Sequence, residues 1–169
     1  RRPRVLDFNQ GLDATFVTEE NMRLLARLNI RPMRIACDRA SERKSYVRAI
    51  KLAHEHKVPE FSNYLLYNWN DTPKDLYERI VLNTELNEEW RVGNIRPYVP
   101  IYSYPMRYAP IDDANGGAAN HKRDYLPLRQ ERKRDWLRNP AWTKRFIRSV
   151  EVMKGVAHGA ISPTPGLAR

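Results

Sequence analysis

The sequence contains a single cysteine, Cys37, among 169 residues. One thiol excludes an internal disulfide, and it excludes any iron–sulfur cluster or metal site that takes several cysteines from this chain. A lone thiol fits a reducing compartment, so we expect a cytoplasmic protein. No apolar run approaches the ~20 residues that cross a bilayer, and no signal peptide is visible. We therefore expect no membrane partner.

Familiar catalytic motifs are missing as well. The sequence has no phosphate-binding loop, no complete dinucleotide fingerprint and no Ser/His/Asp spacing typical of an activated nucleophile. His54 and His56 lie two residues apart on a predicted helix and therefore on different faces, which disfavours a metal pair. The sequence predicts no metal site and no catalytic residue that can be named.

What the sequence has in excess is positive charge, with a formal net charge of +10. From His121 to Lys154 there are eleven Lys or Arg against four Asp or Glu, a net charge of +7. Two basic helices are predicted in this segment, over 129–139 and 142–154, separated by Asn139-Pro140. The excess charge indicates either an affinity for polyanions or an ordinary solvated basic surface.

Aromatic side chains alternate with these charges at Trp136, Trp142 and Phe146. Positive charge for phosphates and rings for bases are typical of a nucleic-acid surface. The alternative is that the rings pack on the rest of the domain while the charges are solvated. The candidate nucleic-acid or polyanion residues are Arg132, Lys133, Arg134, Lys144 and Arg145.

The first 110 residues alternate between apolar strands and amphipathic helices. Strands are predicted to start near residues 5, 33, 60 and 95, a spacing that suits right-handed crossovers in a parallel sheet. The clearest helix start follows the third strand, where Thr72 can be the N-cap, Pro73 the first helical residue and Asp75 the third. The fourth strand, 95–104, contains two prolines and is predicted to lie at a sheet edge.

These patterns predict an α/β fold. We expect a partial (β/α) barrel with about four parallel strands in residues 1–110, with a mobile polar loop over 111–128. The remaining residues, 129–169, are predicted to form a basic helical tail that packs on the barrel.

Polar side chains follow the predicted strands. In a parallel barrel such residues meet at one rim, where ligands bind. The alternative is that they are ordinary turn and cap residues. The candidates are Asn9, Gln10 and Asp13 after the first strand, Asp38 after the second, and Asn68 and Asp71 after the third.

The same segments resemble one protein family. Leu6-Asp-Phe-Asn-Gln-Gly-Leu-Asp-Ala14 and Arg34-Ile-Ala-Cys-Asp38 resemble the middle of a radical S-adenosylmethionine (SAM) domain. Tyr64-Leu-Leu-Tyr-Asn-Trp-Asn-Asp-Thr-Pro-Lys-Asp75 resembles a strand and helix start of that family, and Tyr104-Pro-Met-Arg-Tyr-Ala-Pro110 resembles one uncharacterised branch of it. The resemblance covers roughly 4–159.

The resemblance implies that this chain is the C-terminal part of such a barrel, roughly strands four to seven. It implies SAM as a cofactor, contacted by the six strand-end residues named above. The three-cysteine cluster motif and the Gly-Gly-rich strand of the family are absent from the sequence. The chain alone is therefore expected to hold no iron–sulfur cluster and to leave SAM uncleaved. A half barrel also exposes sheet edges, so we expect homodimerisation through an edge, aggregation, or tail helices folding across the gap.

Overall fold

The computed structural model describes residues 4–93, 95, 98–108 and 141–156. Strands and helices alternate along these residues, which confirms the α/β prediction. The strands are β1 (Leu12–Asp13), β2 (Met33–Ala36), β3 (Phe61–Tyr67) and β4 (Ile101–Arg107). The helices are α1 (Glu19–Leu25), α2 (Arg43–Glu55), α3 (Pro73–Val92) and α4 (Lys144–Val156).

The four strands form one parallel sheet in the order of the chain, β1-β2-β3-β4. Met33, Phe61 and Ile101 lie side by side in this sheet, and all three are buried. Their side chains lie on the face of the sheet that the helices cover. Asn63, two residues after Phe61 and therefore on the same face, bonds to Asn83 of α3. The buried apolar residues of strands and helices form one core cluster on this side.

The opposite side of the sheet, the open face, carries Arg34, Tyr64, Tyr102, Tyr104 and Met106. These side chains alternate with the buried ones along each strand, as the pleat requires. Tyr102 is 41% exposed and Met106 is 47% exposed. Within the described residues, helices therefore cover one face of the parallel sheet and leave the other face without a helix.

Two helices begin at a reciprocal capping box, and that of α3 is the predicted one. Thr72 caps α3: its hydroxyl accepts a hydrogen bond from the Asp75 N–H at 3.2 Å, and the Asp75 carboxylate accepts one from the Thr72 N–H at 2.7 Å. Pro73 is the first helical residue. A proline is tolerated there because the backbone N–H that it lacks has no acceptor in the first turn of a helix. Thr18 caps α1 through the same reciprocal arrangement with Asn21.

The position predicted for the first strand is wrong. Residues 5–9 make a single bridge, between Leu6 and Ile30, and the paired strand is β1 at Leu12–Asp13. A tight turn separates the two segments, with a 2.7 Å hydrogen bond from the Gly11 N–H to the Phe8 carbonyl. Gly11 has φ +80°, a conformation that favours glycine, so the apolar run cannot continue directly into the sheet.

The fourth strand also differs from its prediction. It starts at Ile101, later than residue 95, and continues through Pro105, which we expected to end it. β4 is an outer strand of the described sheet, as predicted. A proline is tolerated there because an outer strand leaves part of its backbone without a ladder partner.

The second basic helix is confirmed as α4, over Lys144–Val156. Trp142, Ile147 and Val150 are buried, whereas Phe146 is 50% exposed and does not join them. The predicted loop 111–128 and the predicted helix 129–139 lie outside the described residues. None of the helices in the described ranges combines the length and the apolar character needed to cross a membrane.

Candidate functional site

A buried arginine joins the carboxyl ends of β2 and β3. Arg79 lies on α3 and is 3% exposed. Its Nη1 atom donates to three carbonyl oxygens at 2.8 to 2.9 Å, those of Cys37, Asp38 and Leu66. Its Nη2 atom donates to Asp71 Oδ2 at 2.8 Å. The guanidinium therefore holds two strand ends and the start of α3 in one arrangement, which we call the rim.

Asp71 is fully engaged in holding this rim. Its Oδ1 accepts from the Trp69 N–H at 3.0 Å, and its backbone carbonyl accepts from Trp142 Nε1 at 2.6 Å. Burial raises the pKa of Asp71, although the Arg79 guanidinium acts in the opposite direction. The role of Asp71 is therefore to position the loop and to bind Trp142, two residues before α4.

Asp38 has a carboxylate oxygen that is available to a ligand. Its Oδ1 accepts a 3.2 Å hydrogen bond from the Leu66 N–H, while Oδ2 has no hydrogen bond to any described residue. The Asp38 N–H donates to Glu42 Oε2 at 3.0 Å. Burial, and then the nearby Glu42 carboxylate, raise the pKa of Asp38. A half-buried carboxylate with one free oxygen is a strong acceptor for a ligand N–H or O–H group.

Asn68 combines two unfavourable features at the end of β3. Its backbone has φ +63°, which a non-glycine residue adopts at a cost of about 1 kcal/mol. Its side chain is buried, with 6% exposure, and Oδ1 has no hydrogen-bond partner within the described ranges. An unsatisfied buried acceptor costs ~1–3 kcal/mol. Strain and an unpaired acceptor on one residue are typical of a binding site.

Two aromatic rings lie beside this asparagine. The centroid of the Trp69 ring is 4.0 Å from that of Tyr108, and the ring planes are tilted by 46°. Trp69 is 41% exposed. Tyr108 is held in place by the hydrogen bond from its N–H to the Tyr67 carbonyl, at 2.9 Å. The end of β3, where Trp69 follows Asn68 in the chain, therefore carries an aromatic pair.

The other predicted site residues lie elsewhere. Asp13 Oδ1 accepts from the N–H of Thr15 at 2.8 Å and from its hydroxyl at 2.7 Å, so it caps a short 3₁₀ helix. Asn9 accepts a 3.3 Å hydrogen bond from the Tyr64 hydroxyl on the open face. Gln10 is exposed in the turn ahead of β1. Of the six candidates, Asp38 and Asp71 bond to Arg79, and Asn68 lies between Leu66 and Asp71, which also bond to it.

Arg79 belongs to a polar stripe on the buried side of α3, formed with Asn83 and Asn87. Asn83 Nδ2 donates to Asn63 Oδ1 at 2.9 Å and to Ser103 Oγ at 2.7 Å. Asn87 exchanges two hydrogen bonds with the backbone of Ile101, at 2.8 and 3.1 Å. Our sequence reasoning missed these residues, although their spacing of four places them on one helix face.

The basic residues of α4 are at the surface. Lys144, Arg145 and Arg148 are exposed, and none of them forms an ion pair with a described residue. They flank the half-exposed ring of Phe146. Arg132, Lys133 and Arg134 lie outside the described residues.

Within the described ranges, no group of three or more His, Cys, Asp or Glu side chains is placed to hold a metal ion. Cys37 is buried, and burial raises the pKa of its thiol to about 12, so it stays protonated and unreactive at neutral pH. Comparison with protein-family models, with curated proteins and with solved structures finds no match to this chain.

Proposed function

We propose that this chain is the C-terminal part of a radical SAM-like (β/α) barrel and that its rim forms part of a site for SAM and substrate. The observation that carries the proposal is the buried Oδ1 of Asn68, which has no hydrogen-bond partner among the described residues. Asp38, which accepts from the Leu66 N–H two residues before Asn68, is the second acceptor of the proposed site. The chain by itself is not competent for catalysis, since its one cysteine cannot hold the cluster of that family.

The strand order supports a barrel. Doubly wound sheets carry helices on both faces, whereas barrel strands follow one another in order and carry their helices outside only. Here the order is β1-β2-β3-β4, and α2 and α3 pack on the same face. In the proposed barrel the open face is the interior, and strands from another polypeptide segment complete it.

The chemistry of the rim suits the cofactor. Asn68 Oδ1 and Asp38 Oδ2 are both acceptors, so a complementary ligand must present N–H or O–H groups. SAM has such donors in its adenine amino group, ribose hydroxyls and ammonium group. When bound beside the cluster of a complete enzyme, SAM supplies the radical chemistry of the family. The role of these residues is to bind and orient the ligand, while Arg79 keeps their loops in place.

Calorimetric titration with S-adenosylhomocysteine, the stable analogue, tests this proposal. Wild-type protein is expected to bind, and Asn68→Gly removes the unpaired amide while keeping a backbone that glycine adopts easily. Losing a buried hydrogen bond of ~1–3 kcal/mol raises Kd about 5- to 150-fold. Lys74→Ala, at a side chain that is 82% exposed, is the matched control near the rim. Equal affinity of wild type and Asn68→Gly would contradict the proposal.

A second candidate function is a small basic α/β module that binds nucleic acid without catalysis. The observation that favours it is a set of exposed cations on α4 that form no ion pair with a described residue, namely Lys144, Arg145 and Arg148. Each phosphate contact adds about one unit to the slope of log affinity against log salt. Substituting Lys144 or Arg145 with Ala should therefore lower that slope by about one. An affinity that does not fall with added salt would count against this function.

A further inference from the structure

Trp142 attaches the start of α4 to the loop 68–71, which follows β3. Its side chain is 2% exposed, and its Nε1 atom donates to the Asp71 backbone carbonyl at 2.6 Å. Its ring also packs against that of Tyr67, the last residue of β3, with centroids 5.4 Å apart. One buried side chain therefore joins α4 both to the strand end and to the loop beyond it.

A second polar contact lies further along α4. The Tyr67 hydroxyl donates to the Glu151 carboxylate, so this tyrosine contacts the segment with its ring at Trp142 and with its hydroxyl at Glu151. Between these two points in the sequence, Ile147 and Val150 are buried in the core cluster. Together these contacts dock α4 against the carboxyl end of β3.

The loop 68–71 has a conformation that its own residues do not favour. Asn68 has φ +63°, and its buried Oδ1 has no hydrogen-bond partner among the described residues. A strained backbone persists only where its surroundings fix it. Here the fixing residue is Asp71, whose carboxylate accepts from the Trp69 N–H at 3.0 Å and from Arg79 Nη2 at 2.8 Å.

The two groups that hold Asp71 come from distant parts of the chain. Arg79 belongs to α3, the helix that directly follows the loop. Trp142 lies 71 residues beyond Asp71 in the sequence. Arg79 supports the loop whenever α3 is folded, whereas Trp142 adds its hydrogen bond only when α4 is docked. The conformation of the loop therefore depends in part on the position of α4.

We propose that docking of α4 fixes the 68–71 loop and, through it, the orientation of Asn68, with Trp142 as the positioning residue. Trp142 touches no ligand in this scheme and acts through Asp71. The effect on ligand affinity rests on the proposed function, whereas the effect on the loop does not. By linkage, a ligand that requires the fixed loop must in turn strengthen the docking of α4.

Hydrogen exchange at the Trp69 backbone N–H, followed by NMR, tests the effect on the loop without any ligand. Trp142→Phe keeps a ring against Tyr67 but removes the Nε1 donor, so this exchange should become about 2- to 10-fold faster. Trp90→Phe is the matched control, because Trp90 is 3% exposed and its ring contacts that of Phe61, at the opposite end of β3. Exchange at Trp69 in this control should match that of wild type.

Tyr67→Phe is a second test that does not alter Trp142. It keeps the ring and removes the hydroxyl that donates to Glu151, so exchange at Trp69 should again become faster, by about 2-fold or more. Circular dichroism establishes which variants are folded. Unchanged exchange in Trp142→Phe, or in Tyr67→Phe where the first variant does not fold, overturns the positioning role, and so does an equal increase in Trp90→Phe.

Titration with S-adenosylhomocysteine distinguishes this proposal from the proposed function. If both hold, Trp142→Phe raises Kd about 2- to 10-fold, and saturation of the wild type slows exchange of the Trp142 indole N–H. A tryptophan with a merely structural role would not gain that protection. If the wild type binds no analogue, the proposed function fails, and exchange at Trp69 still decides whether α4 fixes the loop. If the analogue binds Trp142→Phe and wild type equally, the coupling of α4 to the ligand is overturned while the proposed function stands.

Discussion

Arg79 and Asp71 form an ion pair at the rim, with Nη2 and Oδ2 2.8 Å apart and side chains that are only 4% and 9% exposed. The remaining donors of the guanidinium reach backbone carbonyls, including that of Asp75 at 3.1 Å. Removing two charges from water is costly, and the cost is recovered only when such hydrogen bonds are complete. The main contribution of the pair is therefore to hold the rim loops in a defined geometry, rather than to add net stability.

Replacing Arg79 with Met should lower the free energy of unfolding by ~3–5 kcal/mol, because it leaves a buried carboxylate and several carbonyl oxygens unpaired. Urea denaturation followed by circular dichroism measures this loss. Arg43→Met is the control, since Arg43 is half exposed and 3.8 Å from Glu85, and its effect should stay within about 0.5 kcal/mol. A loss below about 1 kcal/mol for Arg79→Met would show that the pair is not essential to the rim.

The polar stripe of α3 gives a second prediction, at Tyr46. Its buried hydroxyl donates to Asn83 Oδ1 at 2.7 Å. Tyr46→Phe keeps the ring but leaves that acceptor without its donor, so unfolding should become easier by ~1–3 kcal/mol. Thermal melting detects the change, with Tyr77→Phe as an exposed control expected to melt as wild type does. An unchanged melting temperature for Tyr46→Phe would mean that the network accommodates an unpaired asparagine.

Two non-glycine residues with positive φ should respond alike in stability and differently in binding. Lys57, just beyond α2, has φ +59°, and Asn68 has φ +63°. Replacing either with Gly removes ~1–2 kcal/mol of strain but adds ~0.4–1 kcal/mol of unfolded-chain entropy. The free energy of unfolding should therefore rise by at most about 1 kcal/mol. Only Asn68→Gly is expected to reduce binding of S-adenosylhomocysteine. If Asn68→Gly is destabilising, the amide has a structural role and its place in the proposed site fails.

The capping box of α3 predicts a pH dependence. Hydrogen bonds from the Thr72 backbone N–H, and then from its hydroxyl, hold the pKa of Asp75 below its ordinary value of 3.8. A depressed native pKa means that the stabilisation is fully present above pH 3.8 and is lost as the pH falls through the native pKa. Asp75→Ala should therefore cost about 1 kcal/mol at neutral pH and progressively less in acid.

Urea denaturation at several pH values measures that difference. The neighbouring Lys74→Ala substitution provides the control, because its exposed side chain should change stability little at any of them. A cost for Asp75→Ala that is the same at pH 7 and in strong acid would contradict the capping account.

Local sequence signals predicted the elements that local chemistry determines. Thr72 and Pro73 define the start of α3, and the apolar run Phe61–Tyr67 became β3, which starts within one residue of the predicted position. The position of β1 could not be predicted in the same way. It depends on the turn at Gly11 and on pairing with Ile35, a contact between residues distant in the sequence.

The site was predictable only in part, for a related reason. Strand-end position identifies Asp38 and Asn68, but the pattern cannot tell a free acceptor from one already used, as in Asp13 and Asp71. Arg79 was missed because a mid-helix arginine is ordinarily solvated, and its burial depends on three strand-end carbonyls that meet only in the fold. Association through a sheet edge stays a prediction, and sedimentation velocity would measure it.

The polar stripe of α3 has a consequence for how this domain can change. Apolar contacts tolerate sliding by a turn, whereas Arg79, Asn83 and Asn87 each bond to particular atoms of the sheet beneath them. Shifting α3 by one residue along its axis would break all of these bonds together, so the helix has one permitted register. Apolar replacements along the stripe would keep the helix packed on the sheet but would no longer fix its position along its axis. The geometry of the rim would then be lost while the domain stays folded.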